Sequence, residues 1–213
     1  MKRSKKRLVT VGIPTYNRLK YLKEAVASAL AQTYPELEVL ISQNPHPDPR
    51  VRNEISDYCR QMSKLDSRIR YQLLGRDLGP PANFNAIADA ARGDYIMMIG
   101  DDDRLLPQAI EKLTAAAEGD TSLVFCNRYI IDAAGRRNLE RTRIHAAELG
   151  RDRIGGGRVV DTEICAWQQA TQTEASLIRR RDFVEIRFRE DIDAPDIEFY
   201  IVLARRGGMF QFV

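Results

Sequence analysis

The chain has 213 residues with 33 Lys and Arg against 30 Asp and Glu, a net charge of +3, and is 44% hydrophobic and 30% charged. That mix excludes a disordered chain and a multispan membrane protein, and its near neutrality gives no bias toward nucleic acid as a partner. The length fits one large domain or two small ones, with room for a sizeable core.

The basic excess sits at one end, in Lys2, Arg3, Lys5, Lys6 and Arg7. Residues 1–7 read as a flexible, solubilising tail, with a weak contact on anionic lipid as the alternative. Residues 8–13 form a β-prone apolar run that Pro14 stops, too short for a signal peptide, so export by such a signal is not expected. Apolar residues at helical spacing from Leu19 to Leu30 predict a helix, closed before Pro35. A second strand follows at 37–41. Three prolines in residues 44–49 predict a rigid loop without regular structure.

A mostly polar helix is expected over 51–64 and a strand over 69–74. A turn at 78–81 then leads into a helix over about 83–91. Residues 95–99 are a nearly continuous apolar run, the pattern of a central parallel strand covered on both faces. Helix is predicted over 105–117 and strand over 123–131. The pattern decays over 132–160, read as a long surface segment, before a helix at 163–170, a short apolar piece at 175–178 and a helix at 196–206 closed by Gly207-Gly208.

Repeated β-α units imply a doubly wound, mostly parallel sheet, in which ligands sit beyond the carboxyl ends of the strands. That rule selects three loops, residues 14–17, 43–49 and 100–103. The last holds Asp101-Asp102-Asp103, adjacent carboxylates that raise one another's pKa values unless a cation neutralises them. Mg²⁺ or Mn²⁺ is the natural partner, because such ions take one or two protein carboxylates and complete their shell with water and phosphate oxygens. The implied ligand is a diphosphate. Capping of the following helix is the bland alternative for these acids, and for Asp103 it is compatible with either reading.

Neither G-x-G-x-x-G nor G-x-x-x-x-G-K-[ST] occurs, and there is no G-x-S-x-G elbow. Cys59, Cys126 and Cys165 are odd in number and widely spaced, which reads as reduced, intracellular thiols, and His46 and His145 read as ordinary loop residues.

Three stretches fall in the order and spacing of one family: Val11-Gly12-Ile13-Pro14-Thr15-Tyr16-Asn17-Arg18, Ser28-Ala29-Leu30-Ala31-Gln32-Thr33-Tyr34-Pro35 and Gly100-Asp101-Asp102-Asp103. The chain resembles a family 2 glycosyltransferase of GT-A fold, from about residue 8 through 113 and again over 175–212. The resemblance implies an α/β, GT-A-like, doubly wound mixed sheet with helices on both faces. Residues 8–131 would be its nucleotide-sugar-binding half, and 132–213 the acceptor-side half of the same domain, short at the carboxyl end. It implies that Pro14, Thr15, Tyr16 and Asn17 line the donor nucleotide, with plain packing the alternative for Tyr16. Asp101 would lie at the ribose, with Asp102 as principal metal ligand and Asp103 as neighbouring ligand or cap. It puts Gln43 where the family usually has a base-reading aspartate, which leaves UDP, dTDP and GDP sugars open as donors. Asp196 falls on the catalytic base, with an N-cap role as its alternative.

Such enzymes invert the anomeric centre in one metal-assisted displacement. The acceptor, a glycan or a lipid-linked one, is expected to meet residues 132–172, where Trp167 stacks on a sugar or packs in the core. The reaction would run in the cytosol or at the cytoplasmic membrane face. A degenerate, non-catalytic domain that binds nucleotide or glycan is the alternative, with a sugar nucleotidyltransferase behind it. Arg179-Arg180-Arg181 would approach a diphosphate or an anionic acceptor, or form a solvated surface.

Overall fold

A computed structural model describes residues 7–213, so most of the basic tail lies outside the described residues. Arg7, counted with that tail, is pinned: its guanidinium donates to the Tyr95 hydroxyl at 2.8 Å and to the carbonyls of Ala117 and Gly119 at 2.9 Å each.

In chain order the elements are β1 (Val9–Thr15), α1 (Leu19–Leu30), β2 (Leu37–Gln43), α2 (Pro49–Leu65), β3 (Ile69–Leu73), α3 (Gly79–Ala90), β4 (Tyr95–Met98), α4 (Ala109–Ala116) and β5 (Thr121–Phe125). They continue with α5 (Leu139–Glu148), β6 (Gly157–Arg158), α6 (Thr162–Trp167), β7 (Ser176–Arg179), α7 (Arg180–Ile186), α8 (Pro195–Arg205) and β8 (Met209–Phe212). One sheet takes the order β3-β2-β1-β4-β7-β5-β8-β6. The first four are mutually parallel, and β7 runs antiparallel to both β4 and β5.

Alternation along the strands builds a core on each face. Val9, Val11, Ile13, Tyr95 and Met97 meet Leu22, Val26 and Ala29 of α1 and Ile55 and Cys59 of α2. On the opposite face Ile96 and Met98 meet Ile87 of α3, Phe183 of α7, Phe199 and Tyr200 of α8, and Phe210 and Phe212 of β8. Gly12 is required by close approach, since a Cβ there would lie 2.5 Å from Ile87 Cγ2.

Several boundaries differ from the sequence reading, each for a local reason. Pro49 opens α2 instead of belonging to an irregular loop, and the Asp48 carboxylate accepts from the Arg50 N–H at 2.8 Å. Pro80 and Pro81 likewise lie inside the first turn of α3, where the missing N–H costs nothing. Residues 105–107 are not helical, and β5 ends at Phe125 rather than near 131. The segment read as irregular contains α5, which buries none of its residues and so leaves no apolar stripe to detect. Trp167 is exposed, not a core residue. β8 and α7 were not anticipated.

Candidate active site

Strands β1, β2 and β4 end at the same edge, and their carboxyl ends bound a cleft of about 630 Å³. Pro14, Thr15, Tyr16 and Asn17 form one wall, with Asp101, Asp102 and Asp103 beside them. Asn44, Asn83 and Phe84 form another side, and Arg128 and Glu174 close it from the later part of the chain. All three loops chosen by the strand-end rule, 14–17, 43–49 and 100–103, therefore meet at the cleft, the second through Asn44 and through His46 against Tyr16.

The aspartates are differentiated by their surroundings. Asp101 is only 2% exposed, accepts from Thr15 Oγ1 at 2.8 Å and pairs with the Arg18 guanidinium. Burial pushes its carboxyl above the ordinary range, opposed by Thr15 and Arg18 and reinforced by Asp102. The Asp102 side chain is 48% exposed and shares the same guanidinium. Asp103 accepts from the Gly100 N–H at 3.0 Å while its own N–H donates to the Gly100 carbonyl at 3.1 Å. Burial also raises the Asp103 carboxyl, and the charges of Glu174 and Asp102 add to the rise. Asp103 closes its own turn and caps no helix, because α4 begins only at Ala109 with Gln108 before it.

Tyr16 is half-buried against the His46 ring at a centroid distance of 4.8 Å, so it is neither plain core nor free. Gln43 does not reach the cleft. Its side chain is fully buried, its Oε1 accepts from Ser56 Oγ at 2.9 Å and from the Tyr71 hydroxyl at 2.6 Å, and its Nε2 donates to the Arg52 carbonyl at 2.9 Å. Strand alternation turns the next residue, Asn44, to the cleft instead, where its Nδ2 donates to the Gly79 carbonyl at 3.2 Å. Asn83 joins it: Nδ2 donates to the Ser42 carbonyl at 3.1 Å, while its buried Oδ1 has no partner among the described residues. A buried acceptor left open costs free energy and marks a place where a ligand donor would be welcome.

Asp196 lies in the first turn of α8 after Pro195, half-buried, and makes no capping bond; the N-cap position is Ala194. It is not among the residues lining the cleft. Its charge and that of Glu174 both act on the phenol of Tyr200, whose pKa burial drives upward. Glu174 pairs with Arg128 at 3.4 Å, and Arg128 also meets His145 Nε2 at 3.0 Å. Arg179, Arg180 and Arg181 are at the opposite end of the sheet, around a separate hollow with Arg7 and Tyr95, and do not approach the aspartates.

The donor set fits a hard divalent ion sharing its shell with water and a diphosphate. Asp102 offers exposed oxygens and Asp103 a carboxylate crowded by two other acids. Among the described residues no group of three or more His, Cys, Asp and Glu side chains is placed to hold a metal ion.

Comparisons with known proteins agree with one another. The profile described as "Glycosyl transferase family 2" matches residues 10–187. The chain is 31% identical over 133 residues to the GalNAc(5)-diNAcBac-PP-undecaprenol beta-1,3-glucosyltransferase of Campylobacter jejuni, a match covering 62% of this chain and 41% of that protein. It is 32% identical over 123 residues to the abequosyltransferase RfbV of Salmonella typhimurium, covering 57% and 36%. Among solved structures, S. aureus TarS superposes with a TM-score of 0.73 at 16% identity, over 97% of this chain and 58% of that one. The mannosyltransferase PcManGT of Pyrobaculum calidifontis, in complex with GDP-Man and Mn²⁺, superposes with a TM-score of 0.69 at 16% identity, over 99% and 55%. The chain thus spans about half or less of the length of the relatives it matches.

Proposed function

The chain belongs to glycosyl transferase family 2 and has the GT-A fold, and from that premise we propose that it moves a sugar from a nucleotide-diphosphate donor to a hydroxyl of a glycan or lipid-linked acceptor by a single displacement with inversion. The observation that carries this reading is the meeting of Asp101, Asp102 and Asp103 with residues 14–17 across one cleft. TarS also crystallises with UDP and with UDP-GlcNAc, and PcManGT with GDP-Man, which supports the donor class. The Campylobacter relative is named for an undecaprenol-linked glycan, which supports the acceptor class.

In this reading Tyr16 and Thr15 flank the base and ribose, Asn44 and Asn83 meet the nucleobase edge in place of Gln43, and Asp101 serves the ribose side. Asp102 and Asp103 would hold Mn²⁺ or Mg²⁺, which when bound supplies positive charge to the departing diphosphate. Asp196 takes the proton from the acceptor hydroxyl as that oxygen attacks the anomeric carbon, and the sugar–phosphate bond breaks on the opposite side. Work at the cytoplasmic face of a membrane belongs to the same proposal; among the described residues no helix is long and apolar enough to cross a membrane.

A second reading, nucleotide binding without transfer, is favoured by one observation, that Asp196 is not part of the cleft lining. The two separate in Asp196→Asn. If Asp196 is the base, the variant binds nucleotide as the parent does and transfers about 10²–10⁴-fold more slowly; transfer near the parent rate removes Asp196 from the role.

A further inference from the structure

Arg18 is the residue just before α1, in the N-cap position, yet its side chain is not spent on the helix. N-caps favour Ser, Thr, Asp and Asn because their short side chains accept from the first N–H groups, and arginine, which carries only donors, cannot do that. Here the guanidinium instead reaches across the cleft and engages two carboxylates, Asp101 on one nitrogen and Asp102 on another. It is 47% exposed, whereas the Asp101 side chain it holds is 2% exposed.

The electrostatics of that contact are unusual for a surface pair. Asp101 Oδ1 is buried and pairs with the Arg18 guanidinium, whose charge opposes the upward push of burial on that carboxyl. Two carboxylates share one arginine, and a third, Asp103, has the Gly100 N–H as its own hydrogen-bond donor. Arg18 holds Asp102 through Oδ2 alone, so a divalent ion bound to this carboxylate would sit close to the fixed positive charge of the guanidinium, and the two cations would repel.

We infer that Arg18 is the positioning residue that competes with the divalent ion for Asp102, holding the metal off until a donor diphosphate offers the guanidinium another anionic partner. This rests on the reading of Asp102 and Asp103 as the metal-holding residues. A guanidinium matches phosphate oxygens as well as carboxylate oxygens, through paired N–H donors, so its contact with Asp102 passes to the diphosphate while Asp101 keeps its hydrogen bond from Thr15. The half-exposed side chain has room to turn without opening the core. Such a device couples metal capture to donor capture, because the ion meets an Asp102 free of the guanidinium only when a diphosphate is present.

The decisive experiment is a titration of the folded chain with Mn²⁺ alone, at low ionic strength, followed by the electron paramagnetic resonance signal of the free ion. The chains compared are the parent, Arg18→Gln, Arg18→Lys and the double variant Arg18→Gln/Asp102→Ala. Removing the competing charge is expected to tighten Mn²⁺ binding about tenfold. Arg18→Lys, which keeps the charge, should stay near the parent, and the double variant should lose the gain. Mn²⁺ binding that is equal or weaker in Arg18→Gln overturns the inference while leaving Asp102-dependent binding, and so the metal site, intact. Binding that is absent, or indifferent to Asp102, in every chain overturns the metal-site reading and this inference with it.

Discussion

At the amino end of β4, Arg7, Arg92, Arg179, Arg180 and Arg181 gather around a hollow of about 370 Å³ with Asp94 and Asp120. At its carboxyl end, three aspartates and Glu174 face Arg18 and Arg128. The two ends differ less in how many charges they hold than in how those charges are used. Arg179 donates to Asp182 at 2.7 and 2.8 Å, to the Asp120 carbonyl at 2.8 Å and to Ser122 Oγ at 3.0 Å, and Arg7 ties the start of β1 to the loop before β5. That end joins chain segments. At the other end adjacent carboxylates repel, two of them share one arginine, and Asn83 Oδ1 has no partner among the described residues. Polar groups left short of partners by their own fold are those a ligand would complete.

The sharpest way to break this contrast is chemical. Asp196→Asn is expected to lower transfer by about 10²–10⁴-fold, with nucleotide affinity unchanged by calorimetry. Asp102→Ala should cost about 10²–10³-fold in transfer, abolish metal-dependent nucleotide binding, and leave the melting temperature close to that of the parent, since Asp102 is largely solvated.

At the joining end the pattern should invert. Arg179→Ala strands a partly buried Asp182 and is expected to lower stability by about 2–3 kcal/mol, read as a fall in urea midpoint at constant slope, with nucleotide affinity retained. A stable Arg179→Ala that loses nucleotide would reverse the assignment of the two ends. The smallest effect concerns Gln43 and Asn44. Gln43→Ala leaves the Arg52 carbonyl without its side-chain donor and Ser56 and Tyr71 with only each other, and should cost about 1–3 kcal/mol without changing preference among UDP, dTDP and GDP. Asn44→Ala should change that preference with little loss of stability.

How far the site could be read from sequence follows the same geography. Residues 14–17 and 100–103 stood out because each follows an apolar β-prone run, and strand ends of a parallel sheet are where ligands collect. Gln43 was chosen one position early: β2 extends to residue 43, so its side chain points to α2 and the next residue turns to the cleft. Asn83 was hidden because the double proline before it looks like a turn, whereas it sits in the opening of α3. Arg128 falls where the sequence predicts a strand that in fact ends at Phe125, and Glu174 comes from a stretch with no helix period, so only tertiary structure brings them to the aspartates. Arg18 was legible as part of a motif, but its pairing with residues more than eighty positions away was not.

The central claim is that the three aspartates make nucleotide binding depend on a divalent ion. Calorimetric titration with UDP, dTDP and GDP, each in Mn²⁺ and in chelator, on the parent chain and on Asp102→Ala, tests it directly. At least one nucleotide should bind the parent in Mn²⁺ only and fail to bind the variant. Binding that is equal in chelator, or no binding of any of the three, would contradict the claim.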